Sequence, residues 1–74
     1  MNEQTLIRMA NQIADFFQPY TEDEAVEGIA GHIRSFWEPR MREGILAVLE
    51  RNPDAIKPVV ASALRKLSEP ADQS

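Results

Sequence analysis

Few residues of this chain could perform chemistry: one histidine, a run of carboxylates and two closely spaced glycines. His32 is the only histidine and cysteine is absent, so a zinc site built from those ligands cannot form within one copy. The carboxylates between 22 and 27 are typical of a solvated helix start. Gly28 and Gly31 lie inside a predicted helix and do not follow a strand, so they do not form a phosphate-binding loop. We therefore predict that the chain is not an enzyme and binds no cofactor or metal.

The two glycines suggest a binding surface instead. A helix turns about 100° per residue, which places Gly28, Gly31 and Ser35 on one narrow strip opposite the apolar face. Each glycine inside a helix costs about 0.8–1.0 kcal/mol relative to alanine. Close approach of another backbone would explain this cost, and simple tolerance of two glycines explains it equally well.

Arginine and aromatic residues are dense in the same segment, and these types are enriched at binding hot spots. The residues predicted to contact a partner are Gly28, Gly31, His32, Arg34, Phe36, Trp37, Arg40 and Arg42.

Each member of that set also has a structural explanation. The His32 ring would pack at the edge of the core and bond a backbone carbonyl. Trp37 would anchor the core, with the arginines paired to Glu38 and Glu43. Because Phe36 and Trp37 are adjacent in a helix, only one of them can be central in a small core, and the other should lie at its rim.

Apolar residues at spacings of three and four predict four helices, over about 3–17, 21–37, 39–51 and 56–68. In the first helix, Phe16 and Phe17 are both assigned to the inner face. Thr21 and Glu24 fit a capping box, and Pro39 suits a first helical turn. Asn52 or Asp54 could cap the last helix.

No alternating strand pattern occurs, so the predicted fold is all-α, a small compact bundle of about four short helices. Short connections favour antiparallel neighbours. Residues 1–68 should form one helical domain, and residues 69–74 a flexible tail.

Size and charge narrow the function further. The chain has 74 residues and a formal net charge of −4, which disfavours nucleic acid and anionic lipid as partners. No run approaches the roughly 20 apolar residues of a membrane span, and no targeting signal is visible. A cytoplasmic location is expected. A core this small is only modestly stabilising, so a protein partner is expected, and a homodimer of the isolated chain is compatible with the sequence.

Three segments, Leu6–Ile13, Gly28–Ala30 and His32–Arg42, resemble the small delta subunit of bacterial NAD-dependent, molybdenum-containing formate dehydrogenases. The first contains Met-Ala-Asn-Gln-Ile, and the last reads His-Ile-Arg-Ser-Phe-Trp-Glu-Pro-Arg-Met-Arg. The combination is specific, although either string alone would be weak.

The resemblance implies a non-catalytic accessory subunit that binds and stabilises the catalytic (alpha) subunit. It also implies that the partner subunits carry a molybdenum cofactor, iron–sulfur clusters and FMN, and pass electrons to NAD. A maturation chaperone that assists cofactor insertion or complex assembly is the alternative.

Overall fold

The computed structural model describes residues 2–68, which form four α-helices. Helix α1 is Glu3–Phe16, α2 is Glu22–Phe36, α3 is Pro39–Arg51 and α4 is Pro58–Ser68, with one 3₁₀ turn at Pro53–Ala55. No strand occurs between residues 2 and 68, so the all-α prediction is confirmed. The predicted tail, 69–74, lies outside the described residues.

The first two helices begin at side-chain caps. The Asn2 side chain accepts a hydrogen bond of 2.8 Å from the Thr5 amide. At α2, Thr21 Oγ1 accepts from the Glu24 amide and Glu24 Oε1 accepts from the Thr21 amide, each at 3.2 Å. The predicted capping box is therefore confirmed, and two amides that the helix cannot pair internally are satisfied.

The predicted start of the last helix is wrong by two residues. Ile56 is extended (φ −114°, ψ 132°) after the 3₁₀ turn, and α4 begins at Pro58, where a missing amide hydrogen costs nothing. Neither Asn52 nor Asp54 provides the expected cap. Asn11 of α1 accepts from the Lys57 amide at 3.1 Å and donates to the Ala55 carbonyl at 3.1 Å. One side chain thus fixes this turn against α1.

The helices pack in alternating pairs, α2 mainly against α4 and α1 mainly against α3. The expectation that consecutive helices would be the main neighbours therefore fails. Both residues that link α2 to α3, Trp37 and Glu38, are extended (ψ 136° and 156°), so the chain does not reverse there. The largest fully buried side chains come from α2, α3 and α4 and are Ile29, Ile33, Ile45, Val48, Val60 and Leu64.

A glycine permits the contact between α1 and α3. A Cβ at Gly44 would lie 2.7 Å from Leu6 Cδ1, so a larger residue there would require the buried Leu6 side chain to shift. Exposed ion pairs also join the helices, including Arg51 with Glu3 and Lys57 with Asp15. Pairs of this kind contribute at most about 1 kcal/mol each, so apolar packing holds the bundle together.

Candidate partner-binding surface

The two adjacent aromatic residues at the end of α2 point in opposite directions. Trp37 is only 5% exposed and belongs to the core, whereas Phe36 is 74% exposed. The expectation that one of the pair lies at the rim is confirmed. The Trp37 side chain therefore stabilises the bundle, and Phe36 is the residue whose ring is presented to solvent.

The remaining α2 candidates lie on different flanks of the helix. Gly28, His32 and Phe36 are spaced by four, so they follow one another along one flank. Arg34 is two residues from both His32 and Phe36, about 200° around the helix, and therefore lies on another flank. The residues that the sequence predicted as one surface therefore lie on two different sides of α2.

The strip of small residues is not the open surface that the sequence predicted. A Cβ at Gly28 would lie 2.5 Å from Phe17 Cζ, so this position accommodates a ring of the same chain. A Cβ at Gly31 would have no neighbour within 4 Å. Gly28 is therefore explained by packing against Phe17, whereas Gly31 and the exposed Ser35 leave room for a partner.

His32 is exposed and packs on the neighbouring aromatic ring. The ring centroids of His32 and Phe36 are 4.9 Å apart, at an interplanar angle of 40°. Within residues 2–68 the His32 ring makes no hydrogen bond to a backbone carbonyl. The sequence-based explanation that such a bond holds His32 at the edge of the core is therefore wrong. The His32–Phe36 pair therefore forms an accessible platform.

The arginines occupy two separate grooves. Arg42 donates to the Arg34 carbonyl at 3.2 Å, which satisfies a carbonyl in the last turn of α2. These two arginines border a groove of about 300 Å³ over Leu46, Leu64 and Leu67. Arg40 instead borders a groove with Leu6, Met41 and Gly44. Among the described residues, none of the three arginines forms an ion pair with Glu38 or Glu43.

Sequence reasoning missed a second aromatic group. Phe16 is 71% exposed and Tyr20 is 51% exposed, and both rings contact Phe17, with centroid distances of 5.2 and 5.5 Å. The assignment of Phe16 to the inner face is therefore wrong. The rule applied to Phe36 and Trp37, that adjacent helical aromatics cannot both be central, would have separated Phe16 from Phe17.

The two aromatic groups lie along the same flank of α2. Phe17 packs on Gly28, and His32 and Phe36 follow at the next two turns. We call this surface the aromatic flank; its members are Phe16, Phe17, Tyr20, His32 and Phe36. It includes every large hydrophobic residue that is exposed within residues 2–68.

Metal-binding groups and helices that could span a membrane are absent from the described part of the chain. Residues 2–68 contain no group of three or more His, Asp or Glu side chains arranged to hold a metal ion. None of their helices is both long enough and apolar enough to span a bilayer.

Alanine at the two glycines of α2 should have different effects on stability. Both substitutions gain the same helix propensity, about 0.8–1.0 kcal/mol. At Gly31 nothing opposes this gain. At Gly28 the Phe17 ring must move to make room for the methyl group, and overpacking costs about 1–3 kcal/mol. We therefore expect urea denaturation to show Gly31→Ala more stable than Gly28→Ala by about 1–3 kcal/mol. Equal stabilities would show that the Phe17 contact does not constrain position 28.

A comparison with known families agrees with the segments noted in the sequence. Residues 5–64 match the family described as NADH-dependent formate dehydrogenase delta subunit FdsD. No curated protein and no solved structure matches the chain. The match includes all four helices up to Leu64 in α4 and the whole aromatic flank, so the chain belongs to the family of formate dehydrogenase delta subunits.

Proposed function

We propose that this chain is a non-catalytic accessory subunit that binds and stabilises the molybdenum-containing catalytic subunit of a cytoplasmic, NAD-dependent formate dehydrogenase. The formate oxidation and the electron transfer to NAD would be carried out by partner subunits with a molybdenum cofactor, iron–sulfur clusters and FMN. The delta subunit would act by contact alone.

The observation that carries this proposal is the aromatic flank. Exposed apolar residues scattered singly need no explanation, but neighbouring ones on one face mark interaction sites. Here Phe16, Tyr20 and Phe36 are each at least half exposed. The first two contact Phe17, which packs on Gly28 of the helix that carries Phe36. Aromatic rings bury about 150–250 Å² each when covered, so covering this flank would supply stability that the small core lacks.

Purification of the enzyme through a tag on the catalytic subunit tests the proposal. We expect one copy of this chain per catalytic subunit in the active fraction, measured by quantitative mass spectrometry. Deleting the chain should reduce formate-dependent NAD reduction through loss of intact enzyme, with KM for formate unchanged in the enzyme that remains.

Two results would contradict a permanent structural role. If the chain is absent from fully active enzyme but needed to produce it, it is a maturation chaperone. If deletion changes neither the yield nor the stability of the complex, it is neither a stabilising subunit nor a chaperone.

A further inference from the structure

Resting on the proposed function, we propose that the Tyr20 end of the aromatic flank holds a lysine or arginine side chain carried by an apolar segment of another subunit. The site is a hollow of about 410 Å³ lined by Phe17, Tyr20, Asp23, Glu24 and Glu27. We call it the aromatic–acidic hollow. The hollow is shallow and open, and its lining is mainly apolar. Its two rings can attract a cation and cover its aliphatic stem.

The two rings of the hollow are held in place by contacts within the chain. Phe17 is seated against Gly28, and the Tyr20 ring lies 5.5 Å from it at an interplanar angle of 59°. Tyr20 is also fixed through its backbone, because its amide donates to the Phe17 carbonyl at 3.0 Å. The ring faces are thus pre-positioned, which lowers the entropic cost of binding.

The carboxylates of the hollow differ in how far they are already engaged. Glu24 accepts the Thr21 amide and Glu27 pairs with Lys66 at 3.0 Å. Within residues 2–68, Asp23 has no ion-pair or hydrogen-bond partner, and the sequence has no lysine or arginine between Arg8 and Arg34. Asp23, in the first turn of α2, is therefore the carboxylate of the hollow that remains available to a cationic partner.

The same charge argues against a second copy of this chain as the occupant. Symmetric pairing would place two aromatic–acidic hollows, and therefore like charges, against each other. A segment of another subunit that carries a lysine or arginine avoids this repulsion.

Substitutions that each remove one chemical feature test the chemistry of the hollow. Asp23→Asn removes the charge and Tyr20→Leu removes the π-face, and Asp54→Asn is the matched control, an exposed acid on the 3₁₀ turn. The dissociation constant would be measured by interferometry against tagged enzyme prepared without this chain, after circular dichroism confirms unchanged helicity.

We expect Asp23→Asn and Tyr20→Leu each to weaken binding roughly 2-fold to 30-fold, the range of a cation–π contact. Added salt should weaken the unmodified chain more than Asp23→Asn, and Asp54→Asn should bind normally. If the unmodified chain binds and both hollow variants bind equally well, this inference fails while the proposed function stands. If the unmodified chain does not bind the enzyme, the proposed function itself is contradicted.

A photo-crosslinking residue at position 20 identifies the occupant in the purified complex. We expect mass spectrometry to find the adduct on a segment of another subunit that contains lysine or arginine. An adduct on a second copy of this chain, or on a segment without either residue, would overturn the inference.

Discussion

Replacing Trp37 with alanine should lower the free energy of unfolding by about 3–5 kcal/mol. The Trp37 ring is 5% exposed and lies in the core at the corner between α2 and α3, so its removal leaves a cavity that neighbouring helices can fill only in part. A domain of this size has a total stability of roughly 4–11 kcal/mol. The substitution therefore removes a large part of that total, and loss of helicity on urea denaturation would measure it.

Phe36→Ala is the matched control for this prediction. The two residues are adjacent and both aromatic, but Phe36 is 74% exposed, and exposed substitutions usually change stability by less than about 0.5 kcal/mol. Equal losses at both positions would contradict the assignment of Trp37 to the core. Because Phe36→Ala should leave the fold intact, it is also the better variant for partner-binding experiments.

Helix positions could be predicted where short-range interactions determine them. The capping box joins Thr21 to Glu24, three residues away, and α3 spans Pro39–Arg51 as the sequence predicted, because Pro39 fits a first turn. All the residues that form such a signal lie within one helical turn of each other. These signals need no knowledge of how the helices pack.

The start of α4 could not be predicted in this way. Its first turn depends on Asn11, which lies 44 residues from Ala55 and 46 from Lys57 along the chain. Asn11 has no local role that would mark it, since it lies in the middle of α1. Contacts of this kind appear only when the three-dimensional arrangement is known.

The sequence identified which residues are candidates for the binding surface, but it did not predict how they are arranged in space. Arg34 and Phe36 are close in sequence, yet the helix directs them to different flanks. Gly28 was expected to face a partner, and it faces Phe17, the residue that follows α1, instead. The packing of α1 on α2, which no local pattern encodes, therefore decides which of the candidates remain accessible.

The arginines give the largest expected effect on assembly. If Arg34 and Arg40 contact acidic groups of the catalytic subunit, replacing both with glutamate should weaken binding about 1,000-fold. Each hot-spot residue contributes about 2 kcal/mol or more, and about 1.4 kcal/mol corresponds to a factor of ten. Folding should be unaffected, because both side chains are exposed and neither makes an ion pair within residues 2–68. Arg42 is left unchanged because its guanidinium bonds the end of α2.

The control must reproduce the change in net charge, since a shift of four units toward negative charge alters the long-range attraction to any partner. Arg8→Glu with Arg65→Glu does so at two exposed positions on α1 and α4. The Arg34→Glu, Arg40→Glu variant should lose binding. The control variant should retain most of it at physiological salt, where separated charges are largely screened. Equal weakening by both pairs would mean that the arginines act through net charge and not by contact. The aromatic flank would then carry the interface without them.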